Sequence, residues 1–315
     1  MSELIALYPH TTSEIMHQGQ TGNIYRLDGF DKCVRLSQKL STDPKYKITS
    51  IYRNGNEALA IKLIASSHSP QIISSYETGK PQDLANSSGV LWQEGLYDYV
   101  LESALCCKYG VDTAIENGVS LVISGGGHHA EYDRPLGFCT INTMAISALY
   151  SNEAYDNRTV LIDLDVHYSN GCFDILKGKK DIFCSSLWNK KVDKWKYYKS
   201  EGNVWHQKVD NAAAYFDALQ HLTEKVQDWS PTFAVHHLGM DVLASDRMGG
   251  VEEFDVERLY EREQIVSRLL KDLNIPYVIF LGGAYIDYSK GEEFAQQQKA
   301  LATDYQEKAL QIHLR

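Results

Sequence analysis

From residue 121 onward the chain is punctuated by five short runs of aliphatic and β-branched residues: 121–124 "LVIS", 159–164 "TVLIDL", 182–186 "IFCSS", 232–238 "TFAVHHL" and 277–281 "YVIFL". Most are continuously apolar rather than alternating, the pattern of strands covered by helices on both faces. Between them, helical patterns cover 94–116, 140–152, 211–228, 253–273 and 290–313. The stretch "DNAAAYFDALQHLTEKVQDW" has apolar residues at helical spacing and is stopped by Pro231. Alternation of strand and helix predicts an α/β fold: a largely parallel, multi-stranded sheet with helices on both faces. The first 80 or so residues carry a weaker pattern, in which "NGNEALAIKLIASSHSP" predicts one further helix. Residues 189–204, "NKKVDKWKYYKSEGNV", show no period and read either as a functional loop or as a solvated lysine-rich excursion. With no internal repeat and no low-complexity linker, residues 1–315 read as a single domain.

Composition narrows the class without changing that picture. At 43% hydrophobic and 23% charged residues, with 22 glycines and 7 prolines, the chain is ordered and globular. A net charge of −10 disfavours nucleic acid and anionic membranes as partners and suits a cationic substrate. The opening residues lack a basic segment followed by an apolar run, and no window of about 18 apolar residues occurs. The expectation is therefore a cytoplasmic protein, with homo-oligomerisation left open. Cys33, Cys106, Cys107, Cys139, Cys172 and Cys184 form no CxxC pair and read as reduced thiols, mostly filling the core.

Ligands of parallel α/β sheets sit beyond the carboxyl ends of the strands. The polar residues there are His128 and His129 after "SGGG", Asp163, Asp165 and His167 in "LIDLDVHYSNG", Asp241 after "AVHHLGM", and Tyr285 after "VIFLGGA". On an extended segment Asp163, Asp165 and His167 share one face. Such a set suits a divalent cation, which relieves the cost of burying two carboxylates. Taken alone, the same motif is equally compatible with helix capping or solvent exposure. The glycines at 125–127 and at 282 and 283 let the backbone turn and approach the site closely.

The blocks "SGGGHHAEYDRPLGFCTIN", "VLIDLDVHYSNG", "HHLGMDVLASDRMGG" and "FLGGAY", in that order, resemble the signature blocks of the histone deacetylase family, metal-dependent deacetylases of arginase-like fold. The likeness runs from about Gly95 to Tyr285 and is vague over the first 80 residues. It implies that Asp165, His167 and Asp241 hold a catalytic Zn2+, for which Fe2+ or Co2+ could substitute. It further implies that His128 and His129 move protons to and from water and the leaving amine, oriented by Asp163 and Asn170 respectively, while Tyr285 stabilises the oxyanion. A structural K+ would be held by Asp163, Asp165, His167, Ser186 and Leu187. Gly137 and Phe138 of "GFC", Met248 of "SDRMGG" and Trp195 would line the substrate tunnel, with Asp83 as the candidate rim carboxylate. Ala284 and Tyr168 depart from the family pattern, which has glycine and histidine there. Tyr168 should point away from the metal and tune the fold.

These expectations describe a zinc-dependent deacetylase acting on an acylated lysine of a peptide or protein, or on an acetylated polyamine. The alternatives are a non-catalytic acyl-lysine-binding protein and an arginase-like ureohydrolase with two manganese ions. Ser169 and Asn170 supply no carboxylate for a second metal.

Overall fold

The computed structural model describes residues 4–12, 24–190 and 195–314. Eight strands form one all-parallel sheet: β1 (Leu4–Pro9), β2 (Tyr46–Ile51), β3 (Val119–Gly125), β4 (Thr159–Asp163), β5 (Ile182–Trp188), β6 (Val204–Lys208), β7 (Phe233–Gly239) and β8 (Tyr277–Gly282). Their spatial order is β2-β1-β3-β8-β7-β4-β5-β6. The helices are α1 (Ile24–Leu40), α2 (Glu57–Ala65), α3 (Pro70–Thr78), α4 (Gln82–Ala85), α5 (Leu96–Asn117), α6 (Thr143–Tyr155), α7 (Asn170–Leu176), α8 (Ala212–Trp229), α9 (Val256–Asp272) and α10 (Glu292–His313). No helix among the described residues is long and apolar enough to cross a membrane.

The unbroken apolar runs follow from burial on both sides. In β3, Val122 joins a core with Leu101, Leu105 and Met144, while Leu121 and Ile123 join the opposite core with Leu4, Leu238 and Ile279. In β4, Leu161 faces the first core and Val160 and Ile162 the second. Side chains alternate along a strand, so a strand between two helical layers needs apolar residues at every position.

Caps set the helix boundaries. Asn142, Asn211 and Asp255 accept from the backbone N–H groups of Ala145, Ala214 and Arg258, so α6, α8 and α9 begin one residue after each cap. All three starts therefore differ from the periodicity, which runs α6 from 140, α8 from 211 and α9 from 253. β4 ends at Asp163, before the Leu164 expected as its last residue, and β5 runs on to Trp188.

The 195–203 part of the aperiodic segment is mostly exposed but anchored at one point: Tyr198 is buried, and its N–H donates to the Tyr168 hydroxyl at 2.8 Å. Residues 191–194 of that segment lie outside the described residues, as do 1–3, 13–23 and 315 of the 1–315 domain reading. All six cysteines are free thiols, five of them buried.

Candidate active site

The strand order brings the distant motifs together. β3, β8, β7 and β4 are neighbours at the centre of the sheet and run in the same direction. Their carboxyl ends thus deliver the glycine–histidine loop, Tyr285, Asp241 and Asp163 to one edge. Gly127, at φ +69, makes the turn after β3, and a Cβ there would lie 2.0 Å from the Ile141 carbonyl oxygen. Only glycine fits both the left-handed backbone and that approach.

Asp165, His167 and Asp241 each point one donor atom to a common place, all within 4.8 Å of one another and all three side chains buried. His167 Nδ1 lies 3.0 Å from Asp165 Oδ1 and 2.9 Å from Asp241 Oδ2. Burial, and then the neighbouring Asp165 charge, push the Asp241 pKa up. Two carboxylates crowded around one imidazole, out of water, are a costly arrangement that a divalent cation relieves. The donors, two oxygens and one nitrogen, fit Zn2+ and also Fe2+ or Co2+. For the expected potassium set, Asp163 and Ser186 are register partners on β4 and β5, with Leu187 next along β5. Ser186 Oγ is buried without a hydrogen-bond partner, an orphan oxygen of the kind that an ion satisfies.

The two histidines of the loop pack ring to ring, with centroids 3.8 Å apart, yet sit in opposite electrostatic environments. His128 Nδ1 donates to Asp163 Oδ2 at 2.8 Å. Burial opposes its positive charge, but the carboxylates of Asp163 and Asp165 outweigh burial and hold its pKa at about 9. His129 Nδ1 lies 2.8 Å from Asn170 Oδ1. The Asn170 amide is oriented by its Nδ2, which donates to the Glu131 carboxylate at 2.9 Å. Since Asn170 Oδ1 can only accept, His129 carries its proton on Nδ1 and leaves Nε2 bare. Burial, followed by the charges of His128 and His167, drives the His129 pKa well below the usual value.

Of the remaining predicted positions, Tyr285, Trp195, Gly137 and Phe138 adjoin this centre. Tyr285 stands edge-on to His167, with ring centroids 6.2 Å apart, and burial raises its hydroxyl pKa well above normal. Trp195 packs on His129 at 4.0 Å between centroids. Gly137 and Phe138 line a cleft together with His128, Asp165 and Tyr285. Met248 is exposed beside the turn at Asp246, and Asp83 lies exposed on α4. Ala284 adopts φ +65, so a conformation natural to glycine is here imposed on an alanine, which strains the backbone just before Tyr285. Tyr168 is buried, and its hydroxyl donates to the Tyr198 carbonyl at 3.2 Å, tethering the segment that carries Trp195.

Several site residues escaped the sequence reading. His237 Nδ1 donates to Asp163 Oδ1 at 2.8 Å, so Asp163 serves two imidazoles at once. Burial penalises the Asp163 carboxylate, but His128 and His237 more than compensate and hold its pKa well below the usual range. The signal was present in "AVHHL", where adjacent histidines on a buried strand must face opposite layers. Lys32 Nζ donates to the Gly283 carbonyl at 2.9 Å from the cleft wall. His68 accepts from Asn142 N–H at 2.9 Å and hydrogen-bonds the Glu131 carbonyl at 3.0 Å, bracing the loop from beneath. Asp246 Oδ2 accepts from Tyr285 N–H at 3.0 Å.

Comparison with known proteins gives concordant results. Histone deacetylase 2 of Arabidopsis thaliana is 24% identical over 181 residues, covering 56% of this chain and 46% of that protein. Polyamine deacetylase HDAC10 of Danio rerio is 41% identical over 64 residues, covering 19% of this chain and 9% of that protein. The chain thus spans less than half the length of either relative. A solved structure of acetylpolyamine aminohydrolase from Burkholderia pseudomallei superposes with a TM-score of 0.72 at 16% identity, covering 97% of this chain and 98% of that one, and so shares the fold. The profile of the Histone deacetylase domain matches residues 31–301, and the chain belongs to that family.

Proposed function

We propose that this chain is a metal-dependent amidohydrolase that removes an acetyl or other acyl group from an acylated amine, with residues 1–315 acting as one catalytic unit. The observation that carries the reading is the buried convergence of Asp165, His167 and Asp241 next to two histidines of opposite basicity. Asp165, His167 and Asp241 would hold Zn2+, or Fe2+ or Co2+ in its place. When bound, the ion supplies Lewis acidity to the amide carbonyl and makes water more acidic.

The chain's own residues do the rest. His129, with its Nδ1 hydrogen engaged by Asn170, presents the bare Nε2 and takes the proton of the attacking water. His128, kept cationic by Asp163, delivers a proton to the leaving amine. A pair of like groups pushed apart in basicity is the arrangement that separates base from acid. Tyr285 donates its hydroxyl to the developing oxyanion. Phe138, Gly137 and Trp195 enclose the acyl-amine stem, with Met248 at the mouth, and exclude water. Asp163, Asp165, His167, Ser186 and Leu187 would hold K+ as a structural ion.

The amine is cationic once released, which suits a chain of net charge −10 in the cytoplasm. An acylated lysine of a peptide or protein and an acetylated polyamine both satisfy that chemistry. Metal-loaded protein incubated with a panel of acyl-lysine peptides and acetylated polyamines, with products identified by mass, tests the reading. The expected result is loss of the acyl mass from at least one substrate, abolished by chelation and restored by Zn2+ or Co2+. Intact substrates throughout would contradict it.

One observation favours a second reading. His128, Asp165 and His237 also place donor atoms within 4.8 Å of one another. Both histidines anchor Nδ1 on Asp163, leaving Nε2 as the ligand atom, as metal-bound histidines commonly do. A ureohydrolase-like centre with two manganese ions would use that trio, and the metal count separates the two readings.

A further inference from the structure

We propose that Arg262, which touches none of the candidate metal ligands directly, is a positioning residue that sets the spacing of Asp165 and Asp241 through their neighbours' carbonyls, an inference that rests on those residues sharing a metal ion. Arg262 lies on α9 and is completely buried. Its Nη1 donates to the Leu164 carbonyl at 3.1 Å and the Gly239 carbonyl at 2.9 Å. Leu164 directly precedes Asp165, just past the end of β4, and Gly239 is the last residue of β7, two before Asp241. One guanidinium therefore ties together the two strand ends that supply the carboxylate donors. The strands meet closely at that point: a Cβ on Gly239 would lie 2.4 Å from Asp165 Cα.

The guanidinium is held at two of its nitrogens, Nη1 and Nε, while Nη2 is buried without a hydrogen-bond partner. Its Nε donates to Glu263 Oε1 at 2.6 Å. Glu263 Oε2 receives His236 Nε2 at 2.7 Å and His313 Nε2 at 2.9 Å, from β7 and α10. The Glu263 carboxylate can only accept, so both histidines carry the proton on Nε2, and Tyr277 Oη, 3.1 Å away, can donate to the bare His313 Nδ1. Both Glu263 oxygens and the Nε2 atoms of His236 and His313 are already engaged without a cation, which argues against a metal at the His236–Glu263–His313 cluster even though its donors converge. What it fixes is the Arg262 guanidinium: Nε is tied to Glu263 while Nη1 gives one hydrogen to each carbonyl, a planar hold from two nitrogens that a lysine ammonium cannot reproduce. Groups outside the ligand set that orient ligands commonly tune metal affinity.

The test measures the zinc dissociation constant of the metal-free full chain by competition with a chromophoric chelator, alongside its thermal midpoint. The variants are R262M, R262K and L259A, the last removing a buried core leucine from the same helix. R262M is expected to weaken zinc about 10–100-fold, and R262K less, while L259A lowers the midpoint but stays within about twofold of wild type in affinity. If R262M does not fold, R262K against L259A decides by the same criterion. Arginine variants that bind zinc as wild type does, or an L259A as impaired as they are, would overturn the inference alone. A wild-type chain that takes up no zinc would instead remove the proposed function, and this inference with it.

Discussion

Asp241→Asn is expected to strip the chain of its metal and slow acyl release by about 10³-fold or more, the size of effect that follows from losing several kcal/mol of Lewis-acid stabilisation. The substitution is nearly isosteric. Asp241 Oδ1 accepts from Val166 N–H at 3.0 Å, and an asparagine oxygen can keep that bond. The variant should therefore fold, and its effect on the metal-free protein has a definite sign. Burial and the Asp165 charge raise the Asp241 pKa, so the carboxyl holds its proton more tightly folded than unfolded. Ionising it at neutral pH thus costs stability, and removing the charge returns that cost. Metal-free Asp241→Asn should melt at or above metal-free wild type, while the metal-loaded wild type melts above both. Calorimetry with and without zinc, paired with metal analysis, checks both directions.

The second large effect belongs to Tyr285. Tyr285→Phe is expected to lower kcat about 10²–10³-fold, with little change in KM or zinc affinity, because a hydroxyl aimed at the developing oxyanion acts mainly in the transition state. The ring would keep its edge-on packing against His167 and its place in the cleft wall. Steady-state kinetics on the best substrate of the panel measures it. A Tyr285→Phe variant with wild-type kcat would assign the ring to packing alone.

The contrast between what the chain's pattern discloses and what it hides has a physical basis. β3, β4, β7 and β8 are legible because both faces are covered, leaving uninterrupted apolar runs. β2 and β6 form the two edges of the sheet and are partly exposed, so "YKITSI" and "VWHQK" carry no such run. α7 has only seven residues, too few for a helical period to register. The proposed donors and the histidine pair sit inside local motifs at strand ends, which mark them as candidates, while their roles rest on the resemblance of the four ordered blocks. Lys32 reaches Gly283 across 251 residues of sequence, and Arg262 reaches Leu164 across 98. No local pattern encodes such a partnership; it exists only once the sheet has ordered β4 beside β7 and β8 beside β3. His237 lies between these extremes: its strand was visible, but its task depends on Asp163 of the neighbouring strand.

The most direct test of the central claim is a zinc titration of the metal-free protein, following acyl release from the panel substrate that reacts best. A single centre of Asp165, His167 and Asp241 predicts that the rate climbs in proportion to added zinc and levels off at one equivalent per chain. No release at any zinc level would contradict it, as would a rate that levels off only at two.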